Sequence, residues 1–247
     1  MRLPRLTIAI AVAAIAIALL PALQSVLVLD RGAVADGQLW RVATGSFVHF
    51  SRAHLGYDLM VVVVSGVILE WNGRSIAGVV ALSSTAIGVA VMLFEPGLVR
   101  YGGLSGVAYA LVTLLSLHAV GSSGLTRAAG AAALLLAMGK LCWEWRTGSL
   151  LLVADAGAAV RAVPLAHLVG ACSGALAAPF TRRSSGVRTL GSFDSDTRFG
   201  GRPGQTVPPL LIAGSGRFDD LSFPPFRPWR GQGCFSPSSA ERSLSSS

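Results

Sequence analysis

Long apolar runs separated by short polar segments dominate the first 180 residues of the chain. The hydrocarbon core of a membrane is about 30 Å thick, which a helix of about 20 apolar residues crosses. Six runs approach that length, at about residues 6–29, 54–70, 75–94, 104–121, 127–145 and 159–180. The pattern predicts an all-α membrane protein in which residues 1–180 form a bundle of six transmembrane helices.

The composition supports this class and marks off a second region. Of 247 residues 52% are apolar and 13% charged, outside the range of soluble domains. From Thr181 onward Ser, Gly, Pro and Arg dominate, which predicts a low-complexity, disordered cytoplasmic tail over residues 181–247. Much of the net charge of +8 lies there. Basic residues on the cytoplasmic side are expected from topology and anionic lipid, so no nucleic-acid partner is predicted.

The first apolar run has two interpretations, because a basic flank before an apolar stretch also begins a signal peptide. The run continues well past Pro21 and lacks a small-x-small cleavage site, which favours an anchor. Arg2 and Arg5 favour a cytoplasmic N-terminus. Six spans return the chain to the same side, where Arg182 and Arg183 follow the last run. We therefore expect a multi-pass protein of the inner membrane.

Two polar side chains in separate apolar runs carry the candidate chemistry. Ser105 begins the fourth run within Gly103-Leu104-Ser105-Gly106, and His167 lies in the sixth, with Gly170 and Gly174 on the same helix face. Hydroxyl and imidazole groups cost free energy in hydrocarbon unless they are paired, so the two predict a shared polar site. The glycines would let a neighbouring helix bring the hydroxyl close to the ring. Taken alone, the Gly-x-Ser-Gly segment is more typical of close helix packing than of a catalytic site.

Further polar pairs lie at helical spacing in the second and fifth runs. His54 and Asp58 are four residues apart on one face and would have to meet the other polar faces to avoid lipid. A structural hydrogen bond at the membrane surface is the alternative, and it stays open for His49. Lys140 and Glu144 have the same spacing and are predicted to pair with each other.

Together these segments resemble the rhomboid family of intramembrane serine proteases over about residues 35–178. The resemblance rests on three stretches: Trp40-Arg41 with Thr44, His49-Phe50-Ser51, His54 and Glu70; Gly103-Leu104-Ser105-Gly106; and Ala166-His167-Leu168-Val169-Gly170-Ala171-Cys172-Ser173-Gly174. Within the family, the six-span form and Lys140-Leu-Cys-Trp-Glu144 are most similar to the rhombosortase branch. Rhombosortase substrates carry a C-terminal Gly-Gly motif, a transmembrane helix and a basic end.

The resemblance implies a role for each matching position. Ser105 would be the nucleophile and His167 its general base, a dyad without a third, acidic member. His54, with Asp58 and Gly103 beside it and the backbone N–H of Ser105, would form the oxyanion site. The remaining matches would be structural: Trp40, Arg41 and Glu70 as braces of the first loop, and Gly170 and Gly174 in helix packing.

Asp58 departs from the family pattern, in which an asparagine donates a hydrogen bond to the oxyanion. An ionised carboxylate would repel the developing negative charge, whereas a neutral carboxyl can donate. Low-dielectric surroundings favour the neutral form. We therefore expect Asp58 either to act protonated or to lie outside the oxyanion site.

The predicted function is that of a serine endopeptidase whose partners are the lipid bilayer and the transmembrane segments of protein substrates. The alternative is a catalytically inactive rhomboid-like chaperone or adaptor, which the departure at Asp58 keeps open. A transporter is disfavoured because the chain has no symmetric halves. No cofactor is expected, and no metal either, since the four histidines lack paired ligand spacing.

Overall fold

The structure is a computed structural model that describes residues 3–148 and 163–181. Its elements in chain order are α1 (Arg5–Leu19), α2 (Pro21–Leu27), β1 (Leu29–Asp30), α3 (Arg31–Ala35), α4 (Trp40–Thr44), a 3₁₀ helix (Gly45–Phe47), α5 (Arg52–Trp71), α6 (Ala77–Phe94), β2 (Arg100–Tyr101), α7 (Ser105–Val120), α8 (Gly124–Thr147) and α9 (Pro164–Ala177). The predicted tail from residue 182, and the predicted start of the sixth span near residue 159, lie outside the described residues.

The first predicted span is not one continuous helix. Helices α1 and α2 meet at an angle of 108°. Proline disfavours helical backbone at the residue before it, and Leu20, which precedes Pro21, is extended with φ −115° and ψ 96°. The apolar run therefore continues through Pro21 while the helix breaks there.

Within residues 3–148 and 163–181, three helices, α5, α6 and α8, are long and apolar enough to cross a membrane, and the bent α1–α2 pair makes four if it counts as one span. With this much apolar helix the chain is a multi-pass membrane protein. Helix α7 has 16 residues and α9 has 14, so each falls short of a 30 Å hydrocarbon core at 1.5 Å per residue. The prediction of six spans therefore stays a prediction.

Helix α7 lies at the centre of the bundle and contacts α5, α6, α8 and α9. All residues from 106 to 111 are buried, as expected of a helix that is apolar on every side. Its neighbour α9 approaches closely along Gly170 and Gly174, which lie against the backbone of α7. This packing fixes the distance between the side chains at position 105 and position 167.

A two-stranded antiparallel sheet leads the chain into α7. Leu29 of β1 pairs with Tyr101 of β2, and Asp30 pairs with Arg100. The Arg100 Nε donates to Oδ2 of Asp30 at 2.9 Å, and the other carboxylate oxygen accepts the backbone N–H of Ala33 at 3.2 Å. The connector before Ser105 is thus anchored to the segment that follows α2.

Trp40 and Arg41 fasten α4 to the backbone ahead of it. The Trp40 indole N–H donates to the Val26 carbonyl at 3.2 Å. The buried Arg41 guanidinium donates to the carbonyls of Ser25 and Val28 at 2.8 and 2.9 Å. These bonds satisfy carbonyls around the end of α2 and hold the first loop in place.

Among the described residues, the Glu70 carboxylate bonds to the start of α1 and not to that loop. Its carboxylate accepts the backbone N–H groups of Leu6 and Thr7 at 3.2 and 2.8 Å, and the Thr7 hydroxyl at 2.5 Å. These are first-turn donors of α1 that have no partner within the helix. The brace that the resemblance implied is therefore a cap that joins the end of α5 to the start of α1.

Candidate active site

Two glycines, Gly102 and Gly103, lie in the connector just before Ser105, the first residue of α7. Gly103 has φ 142°, a backbone conformation that side chains disfavour. A Cβ at this position would lie 2.9 Å from Cε1 of His54. Glycine at position 103 thus lets the connector pass directly against the His54 ring before the helix begins.

The hydroxyl of Ser105 and the imidazole of His167 are in hydrogen-bond contact. Oγ of Ser105 lies 2.9 Å from Nε2 of His167. The His167 side chain is almost fully buried, whereas Ser105 is half-buried. The two groups, which are 62 residues apart in the sequence, therefore meet between α7 and α9.

Glu144 of α8 is a third member of this cluster that the sequence did not place there. Its side chain has no exposed surface, and Oε2 lies 2.7 Å from Nδ1 of His167. Its other oxygen accepts a hydrogen bond from Lys140, so the predicted pairing of Lys140 with Glu144 is confirmed. The spacing in α8 explained Glu144 as a partner for lysine and gave no sign of its contact with α9.

Tyr109 completes the surroundings of the imidazole. Its ring stacks on that of His167 with centroids 4.6 Å apart and planes inclined by 16°. The Lys140 ammonium lies 5.5 Å from the Tyr109 ring centre, within range of a cation–π contact. The Tyr109 hydroxyl donates to the Ala137 carbonyl at 3.3 Å, which ties α7 to α8. Sequence reasoning treated Tyr109 as part of an apolar helix and missed it.

A second polar cluster gathers around Asp58 of α5. Its Oδ2 lies 3.0 Å from Nε2 of His49 and 3.3 Å from Nε2 of His54. All three side chains are buried. The same Nε2 of His49 accepts the backbone N–H of Leu104 at 3.2 Å. This cluster therefore holds the residue before Ser105 as well as the predicted oxyanion residues.

The two clusters open onto one apolar groove of about 500 Å³. Both His54 and Asp58 line it, as do Ser105 and His167, and α8 contributes a wall that includes Ala137. The groove brings the predicted nucleophile, base and oxyanion residues into one space. Trp40, Arg41 and Glu70 are not among its lining residues.

Comparison with models of known protein families identifies the family of the chain. The Rhomboid domain family model matches residues 36–184, more than half of the chain. The chain therefore belongs to the rhomboid family, whose members are intramembrane serine proteases. No curated protein sequence matches it significantly.

Proposed function

We propose that this protein is an intramembrane serine endopeptidase in which Ser105 is the nucleophile and His167 its general base. The observation that carries the proposal is the 2.9 Å contact between the Ser105 hydroxyl and Nε2 of His167, beside a groove of about 500 Å³. A serine hydroxyl becomes a useful nucleophile when a neighbouring base accepts its proton, and this contact supplies the base. An inactive adaptor gives no reason for that pairing at the wall of a groove.

The reaction follows from the two groups. Ser105 Oγ attacks the scissile carbonyl carbon while its proton moves to Nε2 of His167. The C–N bond then breaks, and Nε2 returns the proton to the leaving amine. An acyl-enzyme remains, which water hydrolyses with His167 again acting as base. An amine in place of water would give transfer.

The oxyanion would form beside His54 and the N-terminus of α7. The backbone N–H of Ser105 lies at the first position of the helix, where amide hydrogens are not used by the helix itself and the partial charge is positive. Within the described residues, Nδ1 of His54 is buried without a hydrogen-bond partner. That nitrogen is therefore not committed elsewhere in the described fold.

The contacts of His49 are compatible with the protonated Asp58 that the oxyanion site requires. Nε2 of His49 lies 3.2 Å from the Leu104 nitrogen and 3.0 Å from Oδ2 of Asp58. In the tautomer in which Nε2 carries no hydrogen, Oδ2 bonds to it as a carboxyl that supplies its own hydrogen, and Leu104 and Asp58 then share the single lone pair of that nitrogen. In this form Asp58 orients His49 and His54, and it does not repel a developing oxyanion.

The groove suits a segment of a membrane protein as substrate. It is apolar, and Ser105 and His167 lie at its wall. A transmembrane helix protects its own carbonyls by hydrogen bonding, so small, helix-breaking residues near the cut are expected. The resemblance of residues 140–144 to the rhombosortase branch favours a C-terminal Gly-Gly signal followed by a transmembrane helix and a basic end.

The short α7 supports a site below the membrane surface. Sixteen residues span about 24 Å at 1.5 Å per residue, so a helix that ends at one surface begins inside the hydrocarbon region. With the N-terminus on the cytoplasmic side of the inner membrane, Ser105 would lie near the periplasmic side. Water would reach it through the connector and loops above it.

Labelling and cleavage together test the proposal. The purified protein in lipid is treated with a fluorescent fluorophosphonate, which phosphonylates activated serines, and is then given a Gly-Gly-tailed membrane substrate. We expect labelling and cleavage by the wild type and neither by Ser105→Ala. A matched substrate with two leucines in place of the glycines should be cut more slowly. Equal labelling of wild type and Ser105→Ala would contradict the proposal, and so would cleavage by the variant.

A further inference from the structure

Glu144 is a buried carboxylate on a helix that is otherwise largely exposed. In α8 only Gly130, Leu141 and Glu144 are buried, and the Glu144 side chain has no exposed surface. Burying a carboxylate costs free energy unless hydrogen bonds and an opposite charge compensate for it. Both compensations are present, one at each carboxylate oxygen.

The two oxygens have different partners. Oε1 pairs with the ammonium of Lys140, and Oε2 lies 2.7 Å from Nδ1 of His167. Across the same ring, Nε2 lies 2.9 Å from the hydroxyl of Ser105. Serine, imidazole and carboxylate thus form one continuous line of contacts from α7 through α9 to α8.

We infer that Glu144 is a positioning residue for His167, so that the reactive centre is a Ser105–His167–Glu144 triad whose carboxylate is paired with Lys140. The inference rests on the proposed function of Ser105 and His167. In a serine–histidine dyad α8 has no role in the reaction, whereas in this triad it supplies the carboxylate.

The carboxylate acts through the tautomer and the charge of the ring. By accepting the Nδ1–H bond, Glu144 holds the hydrogen on Nδ1 and leaves Nε2 unprotonated to take the Ser105 proton. When that proton arrives, the ring becomes positively charged beside a fixed negative charge. Glu144 takes up no proton at any step. The proton on Nε2 passes to the leaving amine, and the ring returns to its starting form.

Lys140 and Tyr109 hold this arrangement in place. Lys140 balances the charge of Glu144 before the reaction, when His167 is neutral. Tyr109 stacks on one face of the imidazole, which restricts its rotation. A purely structural role is the competing explanation, in which Glu144 serves only to neutralise Lys140 within α8.

Three variants separate the two explanations, with the rate of fluorophosphonate labelling as readout and thermal unfolding as the measure of folding. In Glu144→Gln we expect labelling to slow by roughly 10²–10⁴-fold, because loss of the triad carboxylate costs up to about 10⁴-fold in rate in other serine proteases. Glu144→Asp keeps the negative charge but places it farther from His167. We expect it to be labelled at least about tenfold faster than Glu144→Gln. The double variant Lys140→Met with Glu144→Gln leaves no unpaired charge. It should fold like the wild type and stay as slow as Glu144→Gln.

Recovery of the wild-type rate in the double variant would overturn the inference, because it would mean that only the unpaired charge mattered. A Glu144→Gln rate within a few-fold of the wild type would overturn it too. Should Glu144→Gln alone not fold, the comparison of the double variant with Glu144→Asp carries the same test.

A second readout does not depend on activity. A hydrogen bond from Nδ1–H to a carboxylate moves the proton resonance of the imidazole strongly downfield in NMR spectra. We expect such a resonance in the wild type, and we expect it to disappear in Glu144→Gln and in His167→Ala. A resonance that persists in Glu144→Gln overturns the inference. A wild type that the fluorophosphonate does not label contradicts the proposed function instead, and the resonance then reports on the Glu144–His167 bond alone.

Discussion

Gly170 lies directly against the backbone of Gly106, one residue beyond the candidate nucleophile. A Cβ at position 170 would be 1.9 Å from the Gly106 carbonyl oxygen, and one at Gly174 would be 2.1 Å from that of Ala110. Because the obstructing atoms are backbone, they cannot move aside without moving the helix. The absence of side chains at positions 170 and 174 of α9 therefore sets the separation at which Ser105 and His167 form their hydrogen bond.

Gly170→Ala should separate α7 from α9 and break this contact. Overpacking a close interface costs about 1–3 kcal/mol, and more where backbone blocks the new atom. We expect a lower unfolding temperature and a loss of fluorophosphonate labelling of tenfold or more. Gly139→Ala in α8 is the matched control, since no atom lies within 4 Å of a Cβ there. It should keep full labelling with unchanged or slightly higher stability. Equal behaviour of the two variants would show that the close approach is unimportant.

A bulky residue in the groove should slow the entry of a membrane substrate without changing the reactivity of Ser105. Ala137 of α8 lines the groove, so Ala137→Phe should hinder a transmembrane substrate while a small fluorophosphonate still reaches Ser105. We expect cleavage of the membrane substrate to fall at least tenfold and labelling to change less than threefold. Ala132→Phe, at an exposed position of the same helix outside the groove, should leave both rates unchanged. If labelling and cleavage fell together in Ala137→Phe, the groove would not be the path of the substrate.

The helices and the contact between Ser105 and His167 could be predicted because they follow from one constraint. Apolar runs of sufficient length form helices in a membrane, and polar groups within such helices must find each other. The break at Leu20 was missed because the run stays apolar through Pro21 while the backbone there becomes extended. Hydropathy reports which surroundings a residue prefers and does not report the direction of the chain.

The role of Glu144 and the cap formed by Glu70 could not be predicted for a different reason. Glu144 already had a local partner in Lys140, and α8 is rich in Ala, Leu and Gly on every side, so its sequence does not fix which face turns toward α9. Glu70 binds Leu6 and Thr7, more than sixty residues away. Both contacts depend on how the helices pack, which a pattern within one helix does not encode.

Asp58→Asn should leave the protein active. An asparagine amide can donate to Nε2 of His49, as a neutral carboxyl at Asp58 would, and it cannot become negatively charged beside the oxyanion. We expect labelling and cleavage within about tenfold of the wild type between neutral and mildly alkaline pH. Asp58→Ala is the comparison, because it removes the buried carboxyl that contacts His49 and His54, and we expect it to lower the stability by about 1–3 kcal/mol. A large loss of activity in Asp58→Asn would mean that the reaction needs an ionised carboxylate at this position.

The Asp30–Arg100 pair should make stability depend on acid. The hydrogen bond from Arg100 is the main reason that the pKa of Asp30 lies below its usual value of 3.8 in the folded protein, with a smaller contribution from the Ala33 N–H. A carboxyl with a lowered folded-state pKa stabilises the fold at pH values above its unfolded-state pKa. That contribution disappears as the pH falls through the lower, folded-state pKa.

Asp30→Asn removes the charge and keeps an oxygen that can accept a hydrogen bond from the Ala33 N–H. We therefore expect it to unfold at a slightly lower temperature than the wild type at pH 7, by the equivalent of about 1 kcal/mol or less, because the Arg100 side chain of the pair is largely exposed to solvent. The difference should shrink as the pH falls below about 4.

Asp36→Asn is the control for this experiment. The unfolding temperatures of the wild type, Asp30→Asn and Asp36→Asn are measured in the same detergent. Asp36 is exposed and takes part in none of the ion pairs found among the described residues, so its variant should track the wild type at every pH. If the unfolding temperature of Asp30→Asn also followed that of the wild type from pH 7 down to pH 3, the Asp30–Arg100 pair would contribute nothing to the stability of the protein. If instead the difference grew toward low pH, the sign of the linkage would be wrong, and the charge on Asp30 would have to be unfavourable in the folded protein.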